Sequence, residues 1–187
     1  MNYYISDTHF DHKNVIAFDS RPFFTVTEMN AKLIENWNNR VTNQDMVYIL
    51  GDFHWGKTQD WLFVLRQLNG QKTLVRGNHD LHLPFTPELS KCFADVKDYK
   101  EIDDNGRKIV LSHFPMPVYK NMYYGWYHLY GHVHTTTEDN MVENFFRTVR
   151  AYYEFERRAF NVGCMKEYMG YTPRTLDEII EVNKGCD

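Results

Sequence analysis

Five short apolar segments of the chain each end in a small cluster of aspartate, asparagine or histidine residues. Residues 46–50 are a typical segment, because a short continuous apolar run indicates a strand buried on both faces of a sheet. Open α/β sheets place their ligands beyond the carboxyl ends of such strands. The pattern therefore predicts an α/β protein whose polar site is assembled from five loops. The clusters are Asp7-x-His9, Gly51-Asp52, Gly77-Asn78-His79-Asp80, Ser112-His113 and Gly131-His132-x-His134.

The segments between the clusters predict the other elements of the fold. A capping-box pattern at Thr25 and Glu28 precedes a helix over about 28–41, and a similar pattern at Thr175 and Glu178 begins a terminal helix. Asn105-Gly106 predicts a hairpin turn between strands over 95–103 and 108–111. Further strands are predicted over 2–5, 73–75, 127–130 and 159–162. Further helices are predicted around Trp61 and over 141–157, the latter with Met141, Phe145, Val149 and Tyr152 on one face.

Composition limits the class of protein. A chain of 187 residues suits one domain, since domains usually have roughly 100–200 residues. The formal net charge of −4 argues against a dedicated binder of long duplex nucleic acid. Cys92, Cys164 and Cys186 are few and lack metal-type spacing, so we expect a reducing, cytoplasmic environment. The sequence shows neither a signal peptide nor a membrane-spanning run, and we expect no membrane association.

The residue types in the five clusters indicate metal chemistry. Carboxylate, imidazole and amide groups are donors suited to manganese, iron or zinc. In Asp7-x-His9 and His132-x-His134 both side chains of an extended segment point to the same side, so they can contact one ion. One such pair is weak support, but five clusters in order are strong support. Seven of these side chains are enough for two adjacent metal sites that share a bridging carboxylate.

The ordered clusters resemble the calcineurin-like metallophosphoesterases, which are two-metal phosphoester hydrolases. The fragments SDTHFDHKNVI, RPF, LYGHVH and AFNVG are similar to the small bacterial and phage branch of that superfamily. The resemblance implies a four-layer α/β/β/α sandwich of two mixed sheets. It also implies the following roles: Asp7, His9 and His134 as ligands of one metal; Asn78, His113 and His132 as ligands of the second; Asp52 as the bridge; His79 as the catalytic histidine beside the scissile bond; and Asp80 as the acceptor of a hydrogen bond from His79.

The implied function is hydrolysis of a phosphodiester or phosphomonoester, of a small and nucleotide-like substrate, by a hydroxide that bridges the two metals. Manganese is the expected metal, while iron, zinc, nickel or cobalt suit the same ligands. Two alternatives stay open. One is a scaffold that keeps the fold without catalysis, and the other is a nuclease that acts on short nucleic acid.

Some positions depart from the family pattern or have two interpretations. Asp11 stands where relatives often have glycine, and its side chain either disfavours a dianionic substrate or faces solvent. His12 either contacts substrate or begins the following helix. Arg76 either holds an anionic substrate or pairs with a carboxylate. His54, His82 and His128 are expected to be surface or hydrogen-bonded histidines.

The segment 136–158 is a predicted helical insertion within a single domain spanning 1–187. Its residues Arg147 and Arg150 are candidates for substrate binding. The alternative is an amphipathic helix whose aromatic face packs on the core or forms a homodimer contact.

Overall fold

The computed structural model describes residues 1–184, in which two four-stranded sheets are packed together. The last cysteine of the sequence, Cys186, lies outside the described residues. The first sheet contains β1 (Asn2–Ile5), β2 (Met46–Ile49), β3 (Gln71–Val75) and β4 (Asp95–Lys97), all parallel. The second contains β5 (Tyr99–Asp104), β6 (Arg107–Ser112), β7 (Tyr127–Tyr130) and β8 (Ala159–Asn161). In the second sheet β5 and β6 are antiparallel and the other pairs are parallel, so this sheet is mixed as expected. The expectation of two mixed sheets is wrong for the first sheet, whose described strands are all parallel.

Helices cover the outer faces of both sheets. The helices α1 (Lys13–Phe18), α2 (Val26–Asn38), α3 (Thr58–Leu65) and α4 (Pro87–Ser90) pack on the first sheet, and α5 (Thr137–Tyr153) packs on the second. A final helix, α6 (Leu176–Val182), contributes to the layer between the sheets. The Thr25 and Thr175 hydroxyls accept from the backbone N–H of Glu28 and Glu178, as the capping patterns predicted. The predicted α/β fold is therefore confirmed.

Alternation along β1 shows how the layers are separated. Tyr3 and Ile5 pack with Met29 and Trp37 of α2, on the outer side of the first sheet. Tyr4, between them, faces the second sheet and belongs to the apolar layer between the two sheets. Because successive side chains of a strand point to opposite faces, one strand supplies two cores. The carboxyl ends of the parallel strands of both sheets lie at the same edge of the molecule.

The strand predicted over 95–103 is wrong in one respect, because the chain changes sheets within it. β4 pairs with β3 in the first sheet, whereas β5 pairs with β6 in the second. The break falls at Asp98, whose carboxylate accepts two hydrogen bonds from Arg76, at 2.7 and 2.8 Å. The ion pair holds the crossing segment against the end of β3.

The apolar face predicted for the helix after β7 is also wrong. Met141 and Tyr152 are exposed, whereas Phe146 is buried against the second sheet. The buried face includes Asp139, which accepts hydrogen bonds from Asn161 and Lys166. The buried face of the helix therefore includes polar contacts, which hydrophobicity alone does not predict. Within the described residues, no helix combines the length and apolar character needed to cross a membrane.

Candidate active site

The predicted ligand residues lie in loops that follow β1, β2, β3, β6 and β7. Five of them have left-handed backbone conformations, which are uncommon for residues other than glycine. Such conformations cost about 1–3 kcal/mol each and persist only where the surrounding structure enforces them. The strain is concentrated at the edge where the two sheets meet. The φ angles are 55° at Asp7, 49° at His9, 50° at Asp52, 71° at His132 and 47° at His134.

Two glycines allow these loops to approach the carboxylates closely. A Cβ atom at Gly77 would lie 2.2 Å from Oδ1 of Asp52. A Cβ atom at Gly131 would lie 2.3 Å from Oδ2 of Asp7. Neither carboxylate can move away from such a Cβ atom, because both side chains are buried. Glycine is therefore required at both positions by contact with the site itself.

Asp7, His9 and His134 form one group whose candidate ligand atoms all lie within 4.8 Å of one another. The Nε2 atoms of His9 and His134 are 3.3 Å apart, and Nε2 of His134 is 3.4 Å from Oδ1 of Asp7. The Nδ1 atom of His134 lies 2.6 Å from Oδ1 of Asp19. A proton on Nδ1 leaves the Nε2 lone pair directed at the group, which is the usual arrangement of a metal-binding histidine.

Asp52, His113 and His132 form the second group, within the same 4.8 Å limit. Nε2 of His113 lies 3.0 Å from Oδ1 of Asn78 and 3.2 Å from Nδ1 of His132. Nδ1 of His113 lies 2.8 Å from the Leu50 carbonyl oxygen, which can only accept a hydrogen bond. His113 therefore carries its proton on Nδ1 and presents an Nε2 lone pair to the group.

Asp52 lies between the two groups. Its Oδ2 atom is 3.7 Å from Nε2 of His9 in the first group and 3.6 Å from Nε2 of His113 in the second. Several ring nitrogens and carboxylate oxygens converge here, and these hydrogen-bond acceptors outnumber the protons available to them. That donor set fits two adjacent divalent cations, and hard or borderline metals prefer such donors.

The buried carboxylates and histidines strongly affect one another. Burial lowers the pKa of His134, but hydrogen bonds to Asp19 and Asp7 outweigh this and raise it to about 10. Burial would raise the pKa of Asp7, but His134 and the other histidines hold it well below its ordinary value. Burial raises the pKa of Asp52, which has no such hydrogen-bonded histidine. A cation bound here would replace the proton on His134 as the partner of Asp7.

His79 lies at the open side of the site. Its backbone N–H donates to Oδ1 of Asp52 at 3.0 Å, and its Nε2 lies 3.8 Å from Oδ2 of the same residue. Its ring is 5.6 Å from that of His9 and 4.8 Å from that of Trp55, between centroids. The His79 side chain is 37% exposed, so a bound molecule can reach it.

The expected hydrogen bond from His79 to Asp80 is wrong. The buried Asp80 carboxylate instead accepts from three backbone N–H groups, those of Asp52 at 2.9 Å, Phe53 at 3.1 Å and Gly77 at 2.8 Å. Asp80 therefore joins the loops after β2 and β3 and positions Asp52. Burial raises the pKa of Asp80 to about 7.

Three arginines expected to bind substrate do not reach the site. Arg76 forms the bidentate pair with Asp98, so the carboxylate interpretation is correct. Arg150 lines a cavity together with Tyr127, which is the first residue of β7. The ligand loop follows the other end of β7, so α5 carries Arg150 away from the site. Arg147 is one turn earlier on the same helix, and its Nη1 donates to Asn144.

The remaining histidines have different environments. His12 precedes α1, as one interpretation expected, and also reaches the site, where its ring stacks on Trp55 at 4.2 Å. His128 is buried, with Nδ1 3.1 Å from the Val110 carbonyl oxygen and Nε2 accepting from Met116 N–H, as expected for a structural histidine. His82 is exposed. His54 is neither exposed nor hydrogen-bonded, so its expected environment is wrong.

Asp11 is held by neighbouring side chains. Its Oδ1 accepts from Asn30 at 2.5 Å, and its Oδ2 lies 3.2 Å from Nε2 of His54. Its side chain is 43% exposed, so it faces solvent as one interpretation expected, while Asn30 and His54 hold it in place.

Asp19 and Arg21 contact the candidate site, and the sequence patterns did not reveal them. Asp19 binds His134, and Arg21 donates to Asp19 and to the backbone carbonyls of Asp7 and Thr8. Arg21 lies in the RPF fragment that the family resemblance includes, which is the one available signal.

The chain is similar to known proteins over nearly its whole length. It is 36% identical to an uncharacterized protein of Methanocaldococcus jannaschii, across 98% of this chain and 92% of that one. It is 33% identical to the Gene 66 protein of Mycobacterium phage D29, over 60% and 63% of the two chains. Its structure matches that of a protein of unknown function from Aquifex aeolicus, with a TM-score of 0.70, 27% identity, and coverage of 97% and 98%. The family model for calcineurin-like phosphoesterases matches residues 3–102, and the chain belongs to that family.

Proposed function

We propose that the protein is a metal-dependent phosphoesterase that hydrolyses a small phosphodiester or phosphomonoester. The observation that carries the proposal is the convergence of seven donor side chains from five loops in two groups around Asp52. The donors are Asp7, His9, Asp52, Asn78, His113, His132 and His134. They suit two divalent ions, of which manganese is our first choice. Bound ions of this kind activate water and neutralise charge on the phosphate group.

His79 is the proposed proton donor to the leaving oxygen. It lies beside Asp52 at the open side of the site, but it is not needed to complete either group of donors. General acid catalysis requires hydrogen-bond reach to the departing atom, and the exposed His79 ring offers it. Asp52 orients this residue by accepting its backbone N–H. Asp80 in turn holds the backbone of the Asp52 loop and prevents it from moving away.

The test is hydrolysis of bis-p-nitrophenyl phosphate by protein treated with chelator and then supplied with Mn²⁺. We expect turnover only after Mn²⁺ is restored, and we expect His79→Asn to lower it by about 10²–10⁴-fold. The same variant should still bind two ions, which elemental analysis measures, because His79 is not among the proposed ligands. His113→Asn replaces a proposed ligand, so we expect this variant, unlike His79→Asn, to lose bound metal.

Turnover that survives chelation, or full activity in His79→Asn, would contradict the proposal. Two bound ions without hydrolysis of this diester or of p-nitrophenyl phosphate would favour the noncatalytic scaffold.

We also propose a cytoplasmic location and a substrate smaller than duplex nucleic acid. The cysteines support the first, since Cys92 and Cys164 are both free. The net charge of −4 supports the second. A homodimer through the exposed aromatic residues of α5, Phe145, Tyr152 and Tyr153, stays a prediction.

A further inference from the structure

A cavity of about 330 Å³ opens beside His79, and within the described residues its lining includes none of the seven donor residues. Its lining includes His54, Trp55, Trp61 and Leu83 as well as His79 itself. Small-molecule sites usually have volumes of about 300–1,000 Å³, so this cavity suits one compact ring system. Because His79 belongs to both the site and the cavity, a molecule whose phosphate lies over the donors can extend directly into it.

Trp55 gives the cavity a flat aromatic wall. The His12 ring stacks on the indole with an angle of 10° between the planes, which covers one of its faces. The residue is still 47% exposed, so much of the indole is available to a second planar group. Aromatic side chains of this kind bind planar rings by stacking, largely without regard to the identity of the ring.

Buried polar atoms lie behind this wall without hydrogen-bond partners. Nε1 of Trp61 and Nδ1 of His54 have none among the described residues. Nε2 of His54 is 3.2 Å from Oδ2 of Asp11 but makes no hydrogen bond of acceptable geometry with it. Buried polar groups in proteins nearly always have a partner, so unpaired ones require an explanation. The His54 side chain is fully buried.

The charge of the lining restricts the ligand further. Within the described residues, the lining contains no lysine, arginine, aspartate or glutamate, and its titratable side chains are the histidines His54, His79 and His82. A second phosphate or a carboxylate would therefore find neither a lysine nor an arginine there. An uncharged planar group matches the aromatic wall, and the unpaired nitrogens lie directly behind that wall.

We propose that this cavity binds the base of a nucleoside that leaves from the phosphate during hydrolysis. The inference rests on the proposed function and specifies its substrate as a phosphoester of a nucleoside. Water supplies the oxygen that stays on phosphorus, the bond to the nucleoside oxygen breaks, and His79 supplies the proton to that oxygen. Trp55 acts as the specificity-determining residue, because it stacks on the base next to His79.

Binding of free nucleosides tests the proposal without requiring turnover. The metal-free protein is titrated with adenosine, uridine and ribose, and binding is followed by NMR. We expect saturable binding of at least one nucleoside but not of ribose. Trp55→Ala should weaken that binding at least about fivefold, because base stacking on an aromatic side chain contributes at least that much. Trp55→Phe should retain most of it.

Trp126→Ala is the matched control, since it removes a tryptophan that lies just before β7 and does not line the cavity. Unchanged thermal unfolding of Trp55→Ala, whose side chain is half exposed, would show that the loss is local. Absence of nucleoside binding in a protein that hydrolyses bis-p-nitrophenyl phosphate with Mn²⁺ would overturn this inference and leave the proposed function intact. Binding that is equal in Trp55→Ala and the wild type would overturn the location.

Discussion

His128 lies within β7 and His134 lies shortly after it, and these two largely buried histidines behave in opposite ways. The hydrogen bonds of the His128 ring are to backbone groups, the Val110 carbonyl and the Met116 N–H. Burial lowers its pKa to about 4, so it is neutral. His134 contacts the carboxylates of Asp7 and Asp19, and these raise its pKa to about 10 despite burial. Burial alone therefore does not determine the role of a histidine in this protein.

The partners explain the difference. A neutral histidine between a carbonyl and an N–H satisfies both of its ring nitrogens and closes a local gap in the core. Two buried carboxylates that flank a histidine carry an excess of negative charge, and a cation must balance it. Without metal the cation is the proton on His134, and with metal it is the ion. The carboxylates thus distinguish a binding residue from a structural one.

The largest expected effect comes from replacing the two histidines in parallel. His134→Asn should lower Mn²⁺-restored turnover by more than about 100-fold, since losing a residue that only orients a ligand already costs up to that factor. His128→Asn should keep turnover but lower the free energy of unfolding by about 1–3 kcal/mol, because Met116 N–H loses its acceptor. Steady-state kinetics and chemical denaturation measure the two effects.

The comparison fails if His128→Asn, while folded, loses activity as completely as His134→Asn.

Much of the site followed from the sequence because it depends on local patterns. A short apolar run followed by aspartate or histidine marks a strand end, and parallel strand ends lie at one edge of a sheet. That is why Asp7, Asp52 and His113, each from a different loop, are all adjacent in the structure. The neutral role of His128 was also predictable, since it lies inside an apolar strand.

Other features depend on contacts that no local pattern shows. Asp19 follows α1 and hydrogen-bonds to His134, which is 115 residues later in the sequence. Asp19 does not follow a strand, so the strand-end pattern does not identify it. Arg150 is on a helix whose direction relative to β7 determines where its side chain lies. The strand pattern over 95–103 continues across Asp98 although the chain changes sheets there.

Asp19 offers the next largest effect, because its carboxylate accepts a hydrogen bond from Nδ1 of His134 and, together with Asp7, raises the pKa of that residue. Asp19→Asn keeps an oxygen that can accept from Nδ1 of His134 but removes the negative charge. We expect Mn²⁺ affinity in the first group to fall by about 10–100-fold, the usual cost of losing such an orienting partner. The second group, backed by the Leu50 carbonyl, should be unaffected. Titration with Mn²⁺, followed by electron paramagnetic resonance, measures both affinities.

Asp104→Asn is the matched control. Asp104 is also buried, but its carboxylate accepts from Tyr4 and Asn2, and Asn2 begins β1 at the end opposite the site. Equal loss of affinity in both groups after Asp19→Asn would show that the two groups are not held independently.

The smallest expected effect is the pH dependence that His128 gives to stability. Its pKa is about 4 in the folded protein and about 6.5 when unfolded, so the unfolded chain takes up a proton first as the pH falls. The stability that His128 contributes is therefore complete above about pH 6.5 and is lost progressively between pH 6.5 and 4. Between pH 7.5 and 6 the loss amounts to about 1 kcal/mol.

Urea denaturation of the metal-free wild type and of His128→Asn, at pH 7.5 and at pH 6, isolates this contribution. The wild type should lose about 1 kcal/mol more than the variant over that interval, because the ionisable groups of the site are the same in both. Equal losses would mean that burial does not keep His128 neutral, and the contrast with His134 would then rest on metal binding alone.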